Sequence, residues 1–515
     1  MSETLTLPNL EDLPLTPAEA GELLDEKQLG HLRHIDNMSR LPDNDWSGML
    51  QRFPTQDDGA TLRYQIGYSA FALALAHKHR LPAAPGLFKP TMARLFDKLL
   101  LPSVWMYWRD VSRAGGMGNA SIQMAEEWNP VVRDNIMYSA YVQSTASIYG
   151  YLFGDDRFSE PESIVFENSS PFWGGSDHRF AYDQDSLNEH LYWLMVEKGF
   201  LGIACMPDCV FQVCIQPTIL GFRLRDLVAG TTRAAEATRG YRKAWADFGQ
   251  IDQAGHFNTF VQFESKQVVA AGDLMADAWL GSLLNMWNPE LSKERYGALV
   301  SSHVYRTADG SLAARPSPAI PGLEALEIHP QGWMAGWASE MGDRATLNGL
   351  LAYADGHLGP AWQDGGLYYP RHDEPYDSAG DPTLVDPMTG NVNFAYARLN
   401  IANGLWRLYN EPLSADHHSL PALVEVARDV DVSQAVYSRE ENRLTFTVRR
   451  RSDLRADPHD GISPGCVTVG RLKGLGSWEL RTGGQTVRAG DSGDTFTVAC
   501  PEVATTFTVS SAGSR

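Results

Sequence analysis

Three of the five cysteines of this 515-residue chain, Cys205, Cys209 and Cys214, stand in one segment, Gly-Ile-Ala-Cys-Met-Pro-Asp-Cys-Val-Phe-Gln-Val-Cys-Ile-Gln, which spans 202–216. Their C-x3-C-x4-C spacing does not fit structural zinc, which takes short paired spacings and a histidine at a set distance, nor a thioredoxin-like C-x-x-C. Thiols can still move protons or attack carbon when the surroundings tune them. Pro207 suits the first position of a helix, where no N–H donor is needed. On that reading Cys205 sits just ahead of a helix, at the positive end of its dipole, and Cys209 and Cys214 lie about one and two turns inside it. Cys205 and Cys214 are then a candidate acid/base or nucleophile pair at a helix mouth. Cys209 reads as packing, the ordinary use of a free cysteine.

Three other stretches hold titratable or aromatic groups at close spacing: His-Leu-Arg-His-Ile-Asp ending at Asp36, Arg-Tyr-Gln-Ile-Gly-Tyr with Tyr64 and Tyr68, and Asp-Asn-Ile-Met-Tyr-Ser-Ala-Tyr with Tyr138 and Tyr141. In isolation each is ordinary, since an aspartate near a helix end caps or is solvated and tyrosines at helical spacing are core. The run Asp-Asp-Arg-Phe-Ser-Glu from Asp155 to Glu160 is off by one from the acidic magnesium motif of terpene synthases and reads as a surface turn.

The elements that must position these groups are mostly helices. Apolar residues recur at i, i+3, i+4 spacing near 17–36, 60–79, 90–110, 131–151, 185–199, 207–228, 234–249, 270–287, 290–305, 329–341, 344–356 and 391–409. About twelve helices in hairpins make six αα units, and closing them gives an (α/α)6 toroid with a concave pocket at the inner helix ends. Long aromatic and Gly-rich links at 153–182 and 357–390 are placed to cover that pocket. After Pro412 the pattern alternates apolar and polar with Gly-punctuated turns, which predicts a small all-β domain. The expected division is an N-terminal extension over 1–16, a catalytic (α/α)6 domain over 17–412 and a β-sandwich-like domain over 413–515.

A net charge of −20 argues against nucleic acid and anionic membrane surfaces as partners. A 43% hydrophobic content with 14 Trp, 19 Tyr and 20 Phe is that of a globular protein with a large aromatic core. No run of eighteen apolar residues predicts a membrane span, and the first residues lack the basic and apolar regions of a secretory signal. The expectation is a cytoplasmic protein with reduced thiols and no metal site.

Taken in order, these segments resemble the linalool dehydratase/isomerase family: an Ile-Asp pair closing the first helix at Asp36, Arg-Tyr-x-Ile at Tyr64, Asn-Ile-Met-Tyr at Tyr138, and Gly-Ile-x-Cys-x-Pro-Asp at Cys205 with Cys214 nine residues on. Tyr241-Arg-Lys-Ala-Trp-Ala-Asp-Phe and Glu340-Met-Gly-Asp also look like family segments, so the similarity covers roughly 20–410. The resemblance implies an (α/α)6 homo-oligomer that uses no cofactor to dehydrate or isomerise a small hydrophobic isoprenoid alcohol. It makes Asp36 the acid/base for the substrate hydroxyl, kept protonated by burial. Cys205 and Cys214 would flank the reacting carbons, and Tyr64 would position or polarise the oxygen. Tyr68, Trp105, Trp108, Tyr138, Tyr141, Met206 and Phe211 would line the pocket, with aromatic faces toward developing positive charge. Tyr141 stands where the family has a histidine, and Met206 where it has a glutamate. These departures point to a larger or less polar isoprenoid, or to acid-initiated cyclisation. A third reading, from architecture alone, is a carbohydrate-active hydrolase, lyase or epimerase with Asp364, Asp373 and Glu374 as carboxylates and Trp173 and Trp362 as sugar platforms.

Overall fold

In the computed structural model, residues 22–49, 62–113, 125–169, 178–270, 272–316 and 329–512 are described, apart from 456, 458–460, 492 and 494. Helices there are α1 (Glu26–Arg40), α2 (Leu62–Leu75), α3 (Pro85–Leu99), α4 (Pro102–Trp105), α5 (Tyr107–Val111), α6 (Ile136–Phe153), α7 (Gln184–Glu197), α8 (Gln216–Ala229), α9 (Arg233–Phe248), α10 (Leu274–Leu284), α11 (Pro289–His303), α12 (Gln331–Met341), α13 (Arg344–His357), α14 (Phe394–Leu399) and α15 (Gly404–Asn410). None is long and apolar enough to cross a membrane.

Two kinds of helix are built from two kinds of sequence. Every residue of α2 and of α12 is buried, and α6 is buried throughout except Gly150. A helix that is apolar all round needs neighbours all round. By contrast α9 buries only Ala234, Ala237, Tyr241 and Trp245, one stripe at helical spacing, and shows charged residues elsewhere. The first kind forms an inner ring: α2 touches α6, α6 touches α8, then α10, α12 and α14 follow, and α14 returns to α2. Outside it α3 packs on α2, α7 on α6, α9 on α8, α11 on α10, α13 on α12 and α1 on α14.

The helical body is mainly as the periodicity predicts, with three local corrections. The single helix expected over 90–110 is broken at Pro102, which removes the donor that would continue α3. That expected over 391–409 is a π-helical turn (Thr389–Asn393) running into α14, then a break where Asn403 takes a left-handed φ of 57°, then α15. That expected over 207–228 starts only at Gln216. The N-terminal extension and the start of the first expected helix lie outside the described residues.

The C-terminal part folds into two sheets. Ala422–Val426, Cys466–Gly470 and Phe496–Ala499 form one, while Val430–Ser438, Arg443–Arg450, Thr505–Ser511, Trp478–Thr482 and Gln485–Gly490, in that spatial order, form the other. Every pairing is antiparallel. This unit is tied to the helical body by backbone bonds from Leu24 to Ser433, Ala83 to Ala435 and Leu423 to Ala83. Arg33 of α1 adds a buried ion pair to Asp431 at 2.6 Å.

Candidate active site

The cysteine segment does not fold as its proline suggests. Cys209 N–H donates to the Met206 carbonyl at 3.0 Å, with Asp208 at φ 66°, so Pro207 and Asp208 are the two central residues of a tight turn. Proline second and a positive φ third is the signature of a type II turn. Cys205 N–H then bonds the Cys209 carbonyl at 2.9 Å, and Cys209–Phe211 continues as a short strand against Phe260–Gln262. Helix α8 opens later, with Pro217 in its first turn. The helix-end argument therefore moves from Cys205 to Cys214, which immediately precedes the N-cap residue Ile215.

Turn and helix start bring Cys205 and Cys214 together, and burial, reinforced by the neighbouring Cys214, pushes the Cys205 thiol well above its ordinary value. Burial pushes up the phenol of Tyr64, in the first turn of α2, and its electrostatic interaction with Cys214 and Cys205 adds to that push. Its ring meets Tyr141 of α6 edge-on at 5.5 Å and Trp279 of α10 at 5.1 Å. Trp279 stacks on Trp333 of α12 at 4.8 Å. These contacts link the first two turns of four inner helices, so those N-terminal ends lie at one end of the ring. One cation is built into this wall. The Arg63 guanidinium is buried over the Tyr64 ring at 4.8 Å and the Tyr107 ring at 4.1 Å, and donates to Met137 Sδ at 3.4 Å. Its charge opposes the upward push on both Tyr64 and Cys205. The arrangement gathers two buried thiols, a buried phenol and an aromatic wall at one end of the ring.

The sequence model of linalool dehydratase/isomerase matches residues 63–375, more than half of the 515 residues. The chain belongs to the linalool dehydratase/isomerase family. The matched range holds Tyr64, Cys205, Cys214 and the aromatic wall, while the β-sheet unit falls outside it. No curated protein matches the chain. Among solved structures, the α-1,6-mannanase GH76A of Salegentibacter sp. HEL1_6 is similar at 11% identity and TM-score 0.41, covering 74% of this chain and 100% of that one. An unsaturated glucuronyl hydrolase specific for heparin gives 9% and 0.41 over 75% and 96%. Dfg5 from Chaetomium thermophilum gives 10% and 0.39 over 77% and 96%.

Against this family background the sequence-predicted residues divide. Tyr64, Tyr68, Tyr141, Cys205 and Cys214 are brought together. Asp36 is not with them. It accepts hydrogen bonds from Arg40 at 2.8 Å, Arg94 at 2.6 Å and Thr91 at 2.8 Å, and lines a cavity between α1, α3 and the 424–432 segment of the β-unit. Burial pushes its carboxyl up, but the two guanidinium groups and the hydrogen bonds outweigh it and hold the group below the ordinary carboxylate value. The expected protonated acid is thus an ionised residue joining α1 to α3. Trp105 and Tyr138 spend their polar atoms on the Leu100 and Leu99 carbonyls at 3.0 and 2.8 Å and pack on Phe166, which makes them wall structure. Trp108 is fully buried. Phe211 stacks on Phe260 at 4.6 Å in the short sheet, and Met206 opens the Pro207 turn.

Sequence reasoning missed Trp279, Trp333, Tyr396 and the role of Arg63. Their one signal was an aromatic residue near the start of a segment apolar on every side. The family segment at Glu340 is structural: its carboxylate is buried and takes bonds from Asn285 at 2.8 Å, Asn400 at 2.9 Å and the Leu405 and Trp406 N–H groups. Of the residues named for the carbohydrate reading, Asp364 sits in a hairpin turn at φ 46° and Asp373 pairs with Arg371 at 2.8 Å, while Glu374 and Trp362 are exposed. Trp173 lies outside the described residues. Asp155 accepts from Lys89 at 2.6 Å and from Arg157 N–H at 2.9 Å, a surface turn as expected. Among the described residues no three His, Cys, Asp or Glu side chains are grouped to hold a metal ion.

Proposed function

We propose that this protein is a lyase/isomerase that removes the hydroxyl of an allylic terpenoid alcohol, or relocates it, with Cys205 and Cys214 moving the protons inside an (α/α)6 toroid formed by the inner and outer helices. The observation that carries this reading is that the two buried thiols are neighbours and interact electrostatically with Tyr64. Dehydration needs a proton on the departing oxygen and a base for a carbon-bound hydrogen, two groups a few ångströms apart in an apolar setting. Cys214, which precedes the α8 N-cap, takes the part of the base in this reading. Cys205, held protonated by burial, suits the acid. In one turnover the Cys205 proton goes to the hydroxyl, the C–O bond breaks to release water, the Cys214 sulfur takes a proton from the adjacent carbon, and the C–H electron pair becomes the new π-bond. The contact between the thiols then returns the proton. Arg63 bears on how the charge develops. A buried guanidinium beside Tyr64 opposes a free carbocation there, which favours proton removal in step with C–O cleavage.

The reading is tested by incubating the purified protein with C10–C20 isoprenoid alcohols and following products by mass spectrometry, parent beside Cys205→Ala. Dehydrated or isomerised product from the parent and none from the variant is the expected result. Equal turnover by both removes the thiols from the mechanism.

A further inference from the structure

Tyr68 lies four residues beyond Tyr64, one turn deeper along α2. Its ring meets Tyr141 at 6.2 Å, Trp279 at 6.5 Å, Trp333 at 5.4 Å and Tyr396 of α14 at 5.9 Å, so its side chain stands at the centre of the ring of helices. There the polar accounts do not close. The Tyr68 hydroxyl, the Tyr396 hydroxyl and the Trp279 indole N–H all lack a hydrogen-bond partner, in side chains only 3%, 4% and 7% exposed. The Trp279 N–H lies beside the Tyr68 oxygen without reaching bonding geometry, and the Tyr396 phenol interacts electrostatically with the buried Glu340 and with Tyr68. Buried phenols elsewhere in the helical body are satisfied: Tyr107 by Asn135, Tyr138 by Leu99, Tyr296 by Asp343 and Tyr353 by Pro382.

An unsatisfied buried polar group costs about 1–3 kcal/mol. Three on side chains packed around Tyr68, from α2, α10 and α14, call for a missing partner rather than three separate defects. All three are donors, and a single oxygen can accept from several. We infer that the substrate carries a second oxygen function, a hydroxyl or carbonyl, at the end remote from the thiols, and that Tyr68, Tyr396 and Trp279 hold it. This rests on the proposed reading of the thiol site and narrows it to isoprenoids oxygenated at both ends. A site that hydrogen-bonds a substrate oxygen discriminates against the analogue lacking it far more sharply than a hydrophobic pocket discriminates by size.

The test compares geraniol with 8-hydroxygeraniol, which adds a hydroxyl at the far end. Binding to the full-length Cys205→Ala protein is measured by titration calorimetry, and binding to the parent in the cold checks that the variant's pocket is intact. The diol is expected to bind at least ~10-fold more tightly, and Tyr68→Phe and Tyr396→Phe, which keep the ring and its packing, are each expected to bring the ratio toward one. A ratio near one in the parent overturns the inference. So does an unchanged ratio in both phenylalanine variants, or failure of the diol to bind. Because the ratio is read without turnover, it fails independently of the thiol mechanism, which stands or falls on the loss of product in Cys205→Ala.

Discussion

Replacing Gly67 with alanine probes the closeness of α2 to α6 and, through it, the seating of the aromatic wall. A Cβ at Gly67 would stand 2.2 Å from Cδ1 and 2.8 Å from Cγ of Tyr141, which is itself 2% exposed and in edge contact with Tyr64. Ordinary contact requires well over 3 Å, so a fully enclosed ring must move by more than an ångström. Overpacking of this kind costs about 1–3 kcal/mol. Gly67 lies inside a helix, so alanine also contributes up to about 1 kcal/mol through helix propensity. The net runs from roughly zero to a loss of about 3 kcal/mol, the difference of those two ranges. Gly297 on the exposed side of α11 is the reference: nothing lies within 4 Å of its added Cβ, so the same substitution there is expected to stabilise by about 0.5–1 kcal/mol. Thermal unfolding by calorimetry on parent and both variants reads the contrast. A lowered transition for Gly67→Ala, a raised one for Gly297→Ala, and reduced turnover only in the former is the expected pattern. A Gly67 variant as stable as the Gly297 variant refutes the packing argument.

Three further outcomes follow from the ion pairs. Asp36→Asn is expected to lower stability by about 1–3 kcal/mol by leaving Arg40 and Arg94 without their shared carboxylate, while turnover at the thiols persists; complete loss of activity in a folded variant contradicts the placement of Asp36. Because the folded-state carboxyl is held below its ordinary value, its contribution is present above that value and is lost as pH falls through the lowered one, so acid unfolding of Asp36→Asn should be less steep than that of the parent. Asp431→Ala strands the buried Arg33 and is expected to cost about 3–5 kcal/mol, with the paired Arg33→Met/Asp431→Leu change milder, as read by denaturant unfolding; equal losses in both contradict the buried-pair reading. His256 accepts the opposite sign. Its bond to the buried Asp277 at 2.5 Å raises it, so its stabilisation is full below the ordinary histidine value and fades as pH rises through the raised one. His256→Gln should remove that neutral-to-alkaline decline from a stability profile, and an unchanged profile contradicts it.

How much of this was legible beforehand can be judged residue by residue. Helical periodicity located nearly every helix of the body because amphipathic stripes such as Ala234, Ala237, Tyr241 and Trp245 encode burial directly. The change to β alternation after Pro412 was equally plain. Local rules failed where tertiary contacts choose between permitted uses of one residue. Pro207 suits a helix start and a turn alike, and the strand partner at Phe260–Gln262 selects the turn. Asp36 could be buried neutral or buried and paired, and the deciding partner Arg94 lies 58 residues away. Trp279 and Trp333 were silent because a residue in a helix buried on all sides gives no hint of which side faces the interior.

The central claim is that two thiols in mutual contact pass the protons of the reaction. It is met most directly by running the reaction in deuterium oxide, with a substrate that the parent converts, and measuring deuterium at carbon in recovered substrate and product by mass spectrometry. Thiol protons exchange with solvent, so the account predicts that substrate re-formed in the reverse direction carries solvent deuterium at the carbon that Cys214 deprotonates, and that Cys214→Ala abolishes this. Undiminished incorporation in a folded Cys214→Ala protein would contradict it.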